Sequence, residues 1–276
     1  GGVFLDISWI KQKLPNAAEH IRKKLPSMYH QFKQLADIDI TAEPMEVGPT
    51  THYIMGGIRV DSDTQMSTVP GLFAAGECAA GINGANRLGG NSLSDLLVFG
   101  KRAGEFAAKF ARDNSPGRIN HDQVDQIARQ ALEPFDRGPS AVNPYAVEHQ
   151  LQELMQSNVG IVRVESEMQQ ALAELAKLWR QAGQVGVGGN RDYNPAWHTA
   201  LDLKNLLTVS EAITRSAIER KESRGGHFRD DYPDKSPEFA TFNIVTHRGP
   251  DGQMALRREP IKPMPAELKA VIEEMK

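Results

Sequence analysis

The order of apolar and polar positions divides the chain into stretches of different period. Residues 3–8, Val3-Phe4-Leu5-Asp6-Ile7-Ser8, alternate enough for a short strand. Pro15 and Pro26 each suit the first turn of a helix, where proline's missing N–H costs nothing. Residues 15–24 and 26–35 therefore read as two short helices, followed by an extended, proline-broken segment to Pro49. Residues 54–61 read as a strand with Ser62-Asp63 as its turn, and 72–75 as an apolar run of the buried-strand type. From Ser92 the period lengthens. Leu93, Leu96, Leu97, Gly100 and Ala103 then share one face of a helix that runs to about residue 111.

Asn114-Ser115-Pro116-Gly117 is a linker signal, and the composition after it turns helical. Val147, Leu151, Leu154 and Met155 fall on one helical face, and Met168, Leu172, Leu175 and Trp179 on another. A third helix spans about 196–222, and the three suggest an antiparallel bundle. Residues 183–190 are too rich in glycine to be helical. In the tail, 239–248 and 253–259 read as strands joined through Gly249-Pro250-Asp251-Gly252, a hairpin turn signal. Residues 265–275 read as a short terminal helix.

The 276 residues are enough for one large domain or two to three small ones. A net charge of -3 gives no basic footprint, so nucleic acid is not an expected partner. No apolar run reaches the ~18 residues a membrane-spanning helix needs, and no signal-peptide pattern opens the chain. The single cysteine, Cys78, can neither close an internal disulfide nor hold an iron–sulfur cluster by itself, which fits a reducing, cytoplasmic setting. The first residue is Gly and an apolar strand begins at once, so the chain reads as a C-terminal portion of something longer.

Candidate chemistry concentrates between residues 52 and 93, where eight glycines accompany His52, Glu77 and Arg87. Each glycine costs backbone entropy and adds nothing to a core, so the cost implies positive φ or close approach to a ligand. His52 is either a half-buried histidine with a backbone partner or a donor to a carboxylate. Arg87 either ties down loop carbonyls or offers its planar fork to a carboxylate. Glu77 is either a solvated loop residue or an acceptor for ribose-type hydroxyls at the end of a strand. Gly89, Gly90, Asn91, Ser92 and Leu93 lead into the helix that follows; its N-terminus either carries an Asn91 or Ser92 cap or presents free N–H groups to an anion. Together these residues suggest a site for a large polar cofactor and a small carboxylate. The cation-rich run from Glu222 to Arg229 reads as a solvated helix end, an anion site or a subunit contact, and it takes a structural or near-site role. His198 has no second ligand at metal spacing. No Gly-x-Gly-x-x-Gly follows an opening strand.

Four blocks, HYIMGGI, VPGLFAAGEC, NGANRLGGNSLSDLLVFGKRAG and RKESRGGHFRDDYP, resemble the flavoprotein subunit of succinate dehydrogenase and fumarate reductase, in the family's order and at about its spacing. L-aspartate oxidase and the adenylylsulfate reductase flavoprotein are relatives. Asn83 stands where the family usually has His, and Gly226 where it usually has Ala. The resemblance implies an α/β flavin-domain lobe followed by an α-helical bundle and a small α+β C-terminal tail. Residues 1–50 would close a capping domain, 51–113 form the returning lobe of the FAD-binding domain, 114–224 the bundle and 225–276 the tail.

The resemblance also implies roles. His52 and Arg87 would bind the carboxylates of a C4 dicarboxylate. Glu77 would bind FAD at its ribityl chain, with Gly57, Gly90, Asn91, Ser92 and Leu93 around the cofactor. Hydride would pass between succinate or fumarate and the flavin. Electrons would leave through an iron–sulfur subunit, then membrane anchor subunits, to a quinone, as part of electron transport and the tricarboxylic acid cycle. The protein would sit in the cytoplasm, peripheral to the inner face of the cell membrane. The dinucleotide fingerprint, the flavin-linking histidine and the proton-shuttling arginine lie upstream in that family, so no catalytic residue is expected here and the N-terminal half of the flavoprotein is itself an expected partner. Two other readings stay open: an L-aspartate oxidase-like flavoenzyme, and a fragment that packs and binds without turnover.

Overall fold

The computed structural model describes residues 2–48 and 52–274. The expected ends at Pro49 and Met275, and the 50/51 boundary, lie outside the described residues. The chain separates into two units between His52 and Tyr53.

In the first unit, β1 (Val3–Leu5) pairs antiparallel with β2 (Met45–Val47), Leu5 opposite Met45. The strand stops earlier than its pattern predicts. The Asp6 carboxylate accepts the Ser8 N–H at 2.7 Å and turns the chain into a 3-10 segment over Ser8–Gln12. Helices α1 (Ala17–Lys24) and α2 (Pro26–Ala36) follow, with Pro26 in the first turn of α2 and a left-handed Asp37 ending it. Ile21, Ile40 and Met45 form the core of this unit.

The second unit opens with an irregular glycine-rich segment. Neither expected strand, 54–61 or 72–75, forms. The segment has only single bridges, Ile58 to Ala79 in parallel, and Val60 to Ser67 and Met66 to Phe73 antiparallel. The reason is local. Gly56 and Gly57 take φ of 116° and 137°, and Gly76 takes 76°, none of which continues a strand. Leu72, expected to be buried, is exposed. Helix α3 (Asn91–Asp113) forms over the expected range, but the side chain it buries is Asp95, while Leu93, Leu96 and Leu97 face outward.

Helix α4 (His121–Arg137) adds to the three expected long helices of this part; the Asn120 side chain caps it by accepting the Gln123 N–H. Helix α5 (Pro144–Asn158) begins with an Asn143 cap and a proline. After it, β3 (Val162–Arg163) pairs in parallel with β4 (Phe228–Arg229). Helices α6 (Glu165–Ala182) and α7 (Pro195–Glu219) pack against α5 and each other. Asn194 caps α7 by accepting the Trp197 N–H at 3.1 Å. Their shared core is Val147, Leu151, Leu175, Leu178, Leu203 and Leu207, closed by Val185 and Val187 from the glycine-rich connection. A hairpin of β5 (Phe242–Arg248) and β6 (Met254–Pro260) follows, and α8 (Ala266–Glu274) ends the described chain. Arg258 on β6 ties the hairpin to Glu219 at the end of α7 (2.8 Å), and Glu259 ties it to Arg59 in the glycine-rich segment (2.7 Å). No described helix is long and apolar enough to cross a membrane.

Leu203 is fully buried in the core that α7 shares with α5 and α6, whereas Leu201, two residues away, is 37 % exposed. Leu203→Ala is expected to cost ~2–5 kcal/mol in denaturant unfolding, and Leu201→Ala less than half as much. Equal losses would show that the three-helix core does not hold the unit together.

Candidate functional site

The expected site residues Gly57, Glu77, Arg87, Gly90, Asn91, Ser92 and Leu93 all lie in the second unit; His52 is exposed at the end of the first. Glu77 sits in a one-turn 3-10 segment, Gly76–Cys78, where its Oε1 accepts the Ile54 N–H at 2.9 Å. One carboxylate oxygen of this exposed residue therefore fixes two loops to each other. The same loops share main-chain bonds: the Ile58 N–H donates to Cys78 O (2.7 Å) and the Ala80 N–H to Ile58 O (2.9 Å). A side chain at Gly57 would run into the Cys78 carbonyl, which is why glycine is required at this crossing.

Arg87 is half-buried. Its guanidinium carbon stands 4.6 Å from the centre of the Tyr53 ring, and Nη1 donates to the Leu88 carbonyl at 3.3 Å. Its Nε is buried and has no hydrogen-bond partner among the described residues. Asn83, the residue that departs from the family pattern, donates from Nδ2 to the Tyr53 hydroxyl at 3.3 Å. That hydroxyl lies 3.5 Å from Oδ2 of Asp95. Burial, then the charges of Asp95 and Glu77, push the Tyr53 hydroxyl's pKa up. Neither Tyr53 nor Asp95 stands out in the sequence. Their separation of 42 positions leaves no local signal.

The start of α3 corrects the expected cap. Gly90, with φ 84°, occupies the N-cap position and no side chain caps the helix. Asn91 and Ser92 are instead its first helical residues, so the positive end of the helix dipole opens onto the bare Gly89-Gly90 turn.

The cation-rich run is no solvated helix end. Glu222 is fully buried. It accepts from Arg220 Nη1 (2.7 Å), Arg224 Nε and Nη2 (2.8 and 2.9 Å) and the Ser236 N–H (2.8 Å). Burial alone would raise its pKa, but the bonds from Arg224, Ser236 and Arg220 outweigh it and hold the carboxyl at about 2. Arg229, also fully buried, forks onto Asp231 at 2.7 and 2.6 Å and donates to the Ala217 and Ile218 carbonyls at the end of α7. His227 packs between Arg163 Nη1 and the Arg220 carbonyl, 3.0 Å from each. Burial pushes its pKa down to about 4, so the ring is neutral, with its proton on Nε2 toward the carbonyl. This frame reaches the site through two glycines. The Gly226 N–H donates to the Ala85 carbonyl at 2.9 Å, and a side chain at Gly225 (φ 60°) would collide with Ala85, two residues before Arg87.

Comparison with known proteins identifies the family. Residues 12–93 match the family model described as FAD binding domain, and residues 148–272 match fumarate reductase flavoprotein C-term. The chain is therefore of the FAD-binding flavoprotein class. More narrowly, it belongs to the family of fumarate reductase and succinate dehydrogenase flavoprotein subunits. It is 40 % identical to the matching chain of the fumarate reductase (CoM/CoB) of Methanothermobacter marburgensis, over 90 % of this chain and 43 % of that one. It is 36 % identical to the succinate dehydrogenase flavoprotein subunit of Coxiella burnetii, over 95 % of this chain and 46 % of that one. The Sdh1 complex of Mycobacterium smegmatis in its apo form contains a chain 47 % identical, with a TM-score of 0.83 over 97 % of this chain and 45 % of that one. The chain thus spans a little under half the length of the relatives it matches.

The depressed pKa of His227 has a consequence for stability. The folded group titrates at about 4 and the free imidazole at 6.5. As pH falls below 6.5 the unfolded chain takes up the proton first. The contribution is therefore complete above pH 6.5 and is lost down to about pH 4. Melting temperature is expected to fall over that window. In His227→Gln, whose amide can donate to Arg220 O and accept from Arg163, that part of the fall should disappear. Identical pH profiles for the two proteins would remove His227 as its source.

Proposed function

We propose that the glycine-rich segment and the start of α3 hold the flavin end of FAD, and that Arg87 and His52 bind the carboxylates of a C4 dicarboxylate in a succinate:fumarate oxidoreductase. The observation that carries this reading is Arg87: a half-buried guanidinium stacked on Tyr53, with Nε buried and unpartnered, a few residues before an uncapped helix N-terminus. Arginine whose only task was to tie down a loop would direct its donors at loop carbonyls; this one gives Nη1 to Leu88 and leaves Nε unused.

The residues present fit the cofactor. Gly90 bares the main chain where a ring can approach, Gly57 lets the two loops cross, and the α3 N-terminus at Asn91, Ser92 and Leu93 supplies partial positive charge. Glu77, oriented through Oε1 by the Ile54 N–H, accepts from ribityl hydroxyls. When bound, FAD supplies the hydride chemistry. Arg87 and His52 neutralise and orient the substrate carboxylates so that the carbon to be reduced or oxidised faces the flavin. None of these residues is assigned the proton transfer.

In this reading the second unit comprises a returning flavin lobe, a helical bundle and an α+β tail. Electrons pass to an iron–sulfur subunit, which hands them to a membrane-held acceptor, with the flavoprotein peripheral to the inner face of the cell membrane. Quinone is the expected acceptor, although the Methanothermobacter relative is named for a CoM/CoB couple.

Arg87→Lys in the full-length flavoprotein keeps the charge but loses the fork. It should retain FAD absorbance while kcat/KM for succinate and fumarate falls by about a hundredfold, the scale of a misplaced substrate. Unchanged kinetics with both substrates would remove Arg87 from the site. His52→Ala should weaken malonate inhibition and dicarboxylate binding by ~1.5–3 kcal/mol, one charge-assisted hydrogen bond. Unchanged inhibitor affinity with a lowered melting temperature would make His52 a structural histidine.

A further inference from the structure

The first two turns of α3 invert the usual arrangement of an amphipathic helix. Leu93 and Leu97 are 68 % and 76 % exposed, whereas Asp95 between them is 4 % exposed and is the residue the helix buries. A buried carboxylate is strongly destabilising unless it is well partnered. Yet among the described residues Asp95 Oδ1 has no partner, and Oδ2 meets only the Tyr53 hydroxyl, at 3.5 Å. The ring of the same tyrosine carries the Arg87 guanidinium on its face, 4.6 Å from the ring centre. Asn83 donates to the hydroxyl at 3.3 Å.

We propose that buried Asp95 and half-buried Tyr53 form a brace that sets the orientation of Arg87, making both of them positioning residues for carboxylate binding. This rests on Arg87 being a carboxylate clamp. A carboxylate accepting from the phenol polarises the ring toward its face, where a cation is attracted by the ring quadrupole. The brace also fixes the ring's rotation, so that the fork points the same way before and after ligand arrives. Such preorganisation removes an ordering cost from each binding event. It also accounts for a buried carboxylate on a helix whose leucines are exposed, which packing alone does not.

The test uses the full-length flavoprotein with FAD bound. Tyr53→Phe keeps the stacking ring and removes the hydroxyl; Asp95→Asn keeps the shape and removes the charge. Each is expected to raise KM for succinate and fumarate and the inhibition constant of malonate by about tenfold, the scale of one net hydrogen bond, with the visible flavin spectrum unchanged. In an Arg87→Lys background the same changes should add less than about twofold, because residues acting through one partner are not additive. Wild-type KM and malonate affinity in Tyr53→Phe, or an effect carried undiminished into the Arg87→Lys background, would overturn the brace. Should Asp95→Asn fail to fold, Tyr53→Phe decides alone. If Arg87→Lys itself leaves dicarboxylate binding intact, the clamp fails and the brace falls with it. If Arg87→Lys is impaired but Tyr53→Phe is not, only the brace is wrong.

Discussion

Two fully buried charges, Glu222 and Arg229, determine how the parts of the second unit meet. Glu222 gathers Arg220, Arg224 and the Ser236 N–H, and Arg229 gathers Asp231, Glu165 and the last carbonyls of α7. Each charge is tolerated only because it is paired; removal of one partner leaves a buried charge uncompensated, at a cost of ~3–5 kcal/mol. The network binds the end of the longest helix to the β3–β4 pair and to the loop that carries Gly225 and Gly226. That loop in turn supports Ala85, and so the turn that presents Arg87. The chain of dependence runs from helix end to buried ions to a glycine pair to one guanidinium.

The helical part and the glycine-rich part are held by different means. Helices α5, α6 and α7 bury a contiguous apolar core. Residues 53–90 contribute few buried apolar side chains, among them Ala74 and Ala79. Their positions are set instead by single main-chain bonds, by Glu77 on the Ile54 N–H and by the Arg59–Glu259 ion pair. Segments held this way open at lower free energy than core helices. A site built on them gains close backbone approach to a ligand and loses rigidity, which the buried ion network partly restores from one side.

The helices are legible in the sequence where caps and periodicity agree. The apolar face at Val147–Met155 and the helix read from about residue 196 match α5 and α7, whose starts the structure fixes with cap bonds from Asn143 and Asn194. Helix α4 carries helical spacing at Val124, Ile127, Ala131 and Phe135, but Pro134 inside it argues against a helix there. The strands expected at 54–61 and 72–75 do not form because Ile, Val and Phe signal strand while adjacent glycines at positive φ forbid it, and composition alone does not say which wins. Arg87 and Glu77 stand out by residue type among glycines. Tyr53 and Asp95 do not, because what matters about them is a contact made 42 positions apart. The ion network is hidden for a related reason: Arg220, Glu222 and Arg224 alternate in sign like a solvated turn, and only burial distinguishes the two.

One pattern joins the site to its frame. Its polar groups are divided between atoms committed to holding the loops and atoms left unused by the protein. Glu77 commits Oε1 to a main-chain N–H; Arg87 commits Nη1 to a carbonyl and its face to Tyr53, leaving Nε without a protein partner. The α3 N-terminus leaves its first turn without a side-chain cap where many helices place a serine or asparagine. For Arg87 Nε, the buried group among them, lacking a partner costs ~1–3 kcal/mol, which a purely structural segment has no reason to bear. A binding segment does, because groups already oriented by half of their valence need no reorganisation when the ligand supplies the other half. By that logic the departure of Asn83 from the family's usual histidine is tolerable: its amide still donates to Tyr53 and so helps hold the ring against the one group that must not rotate.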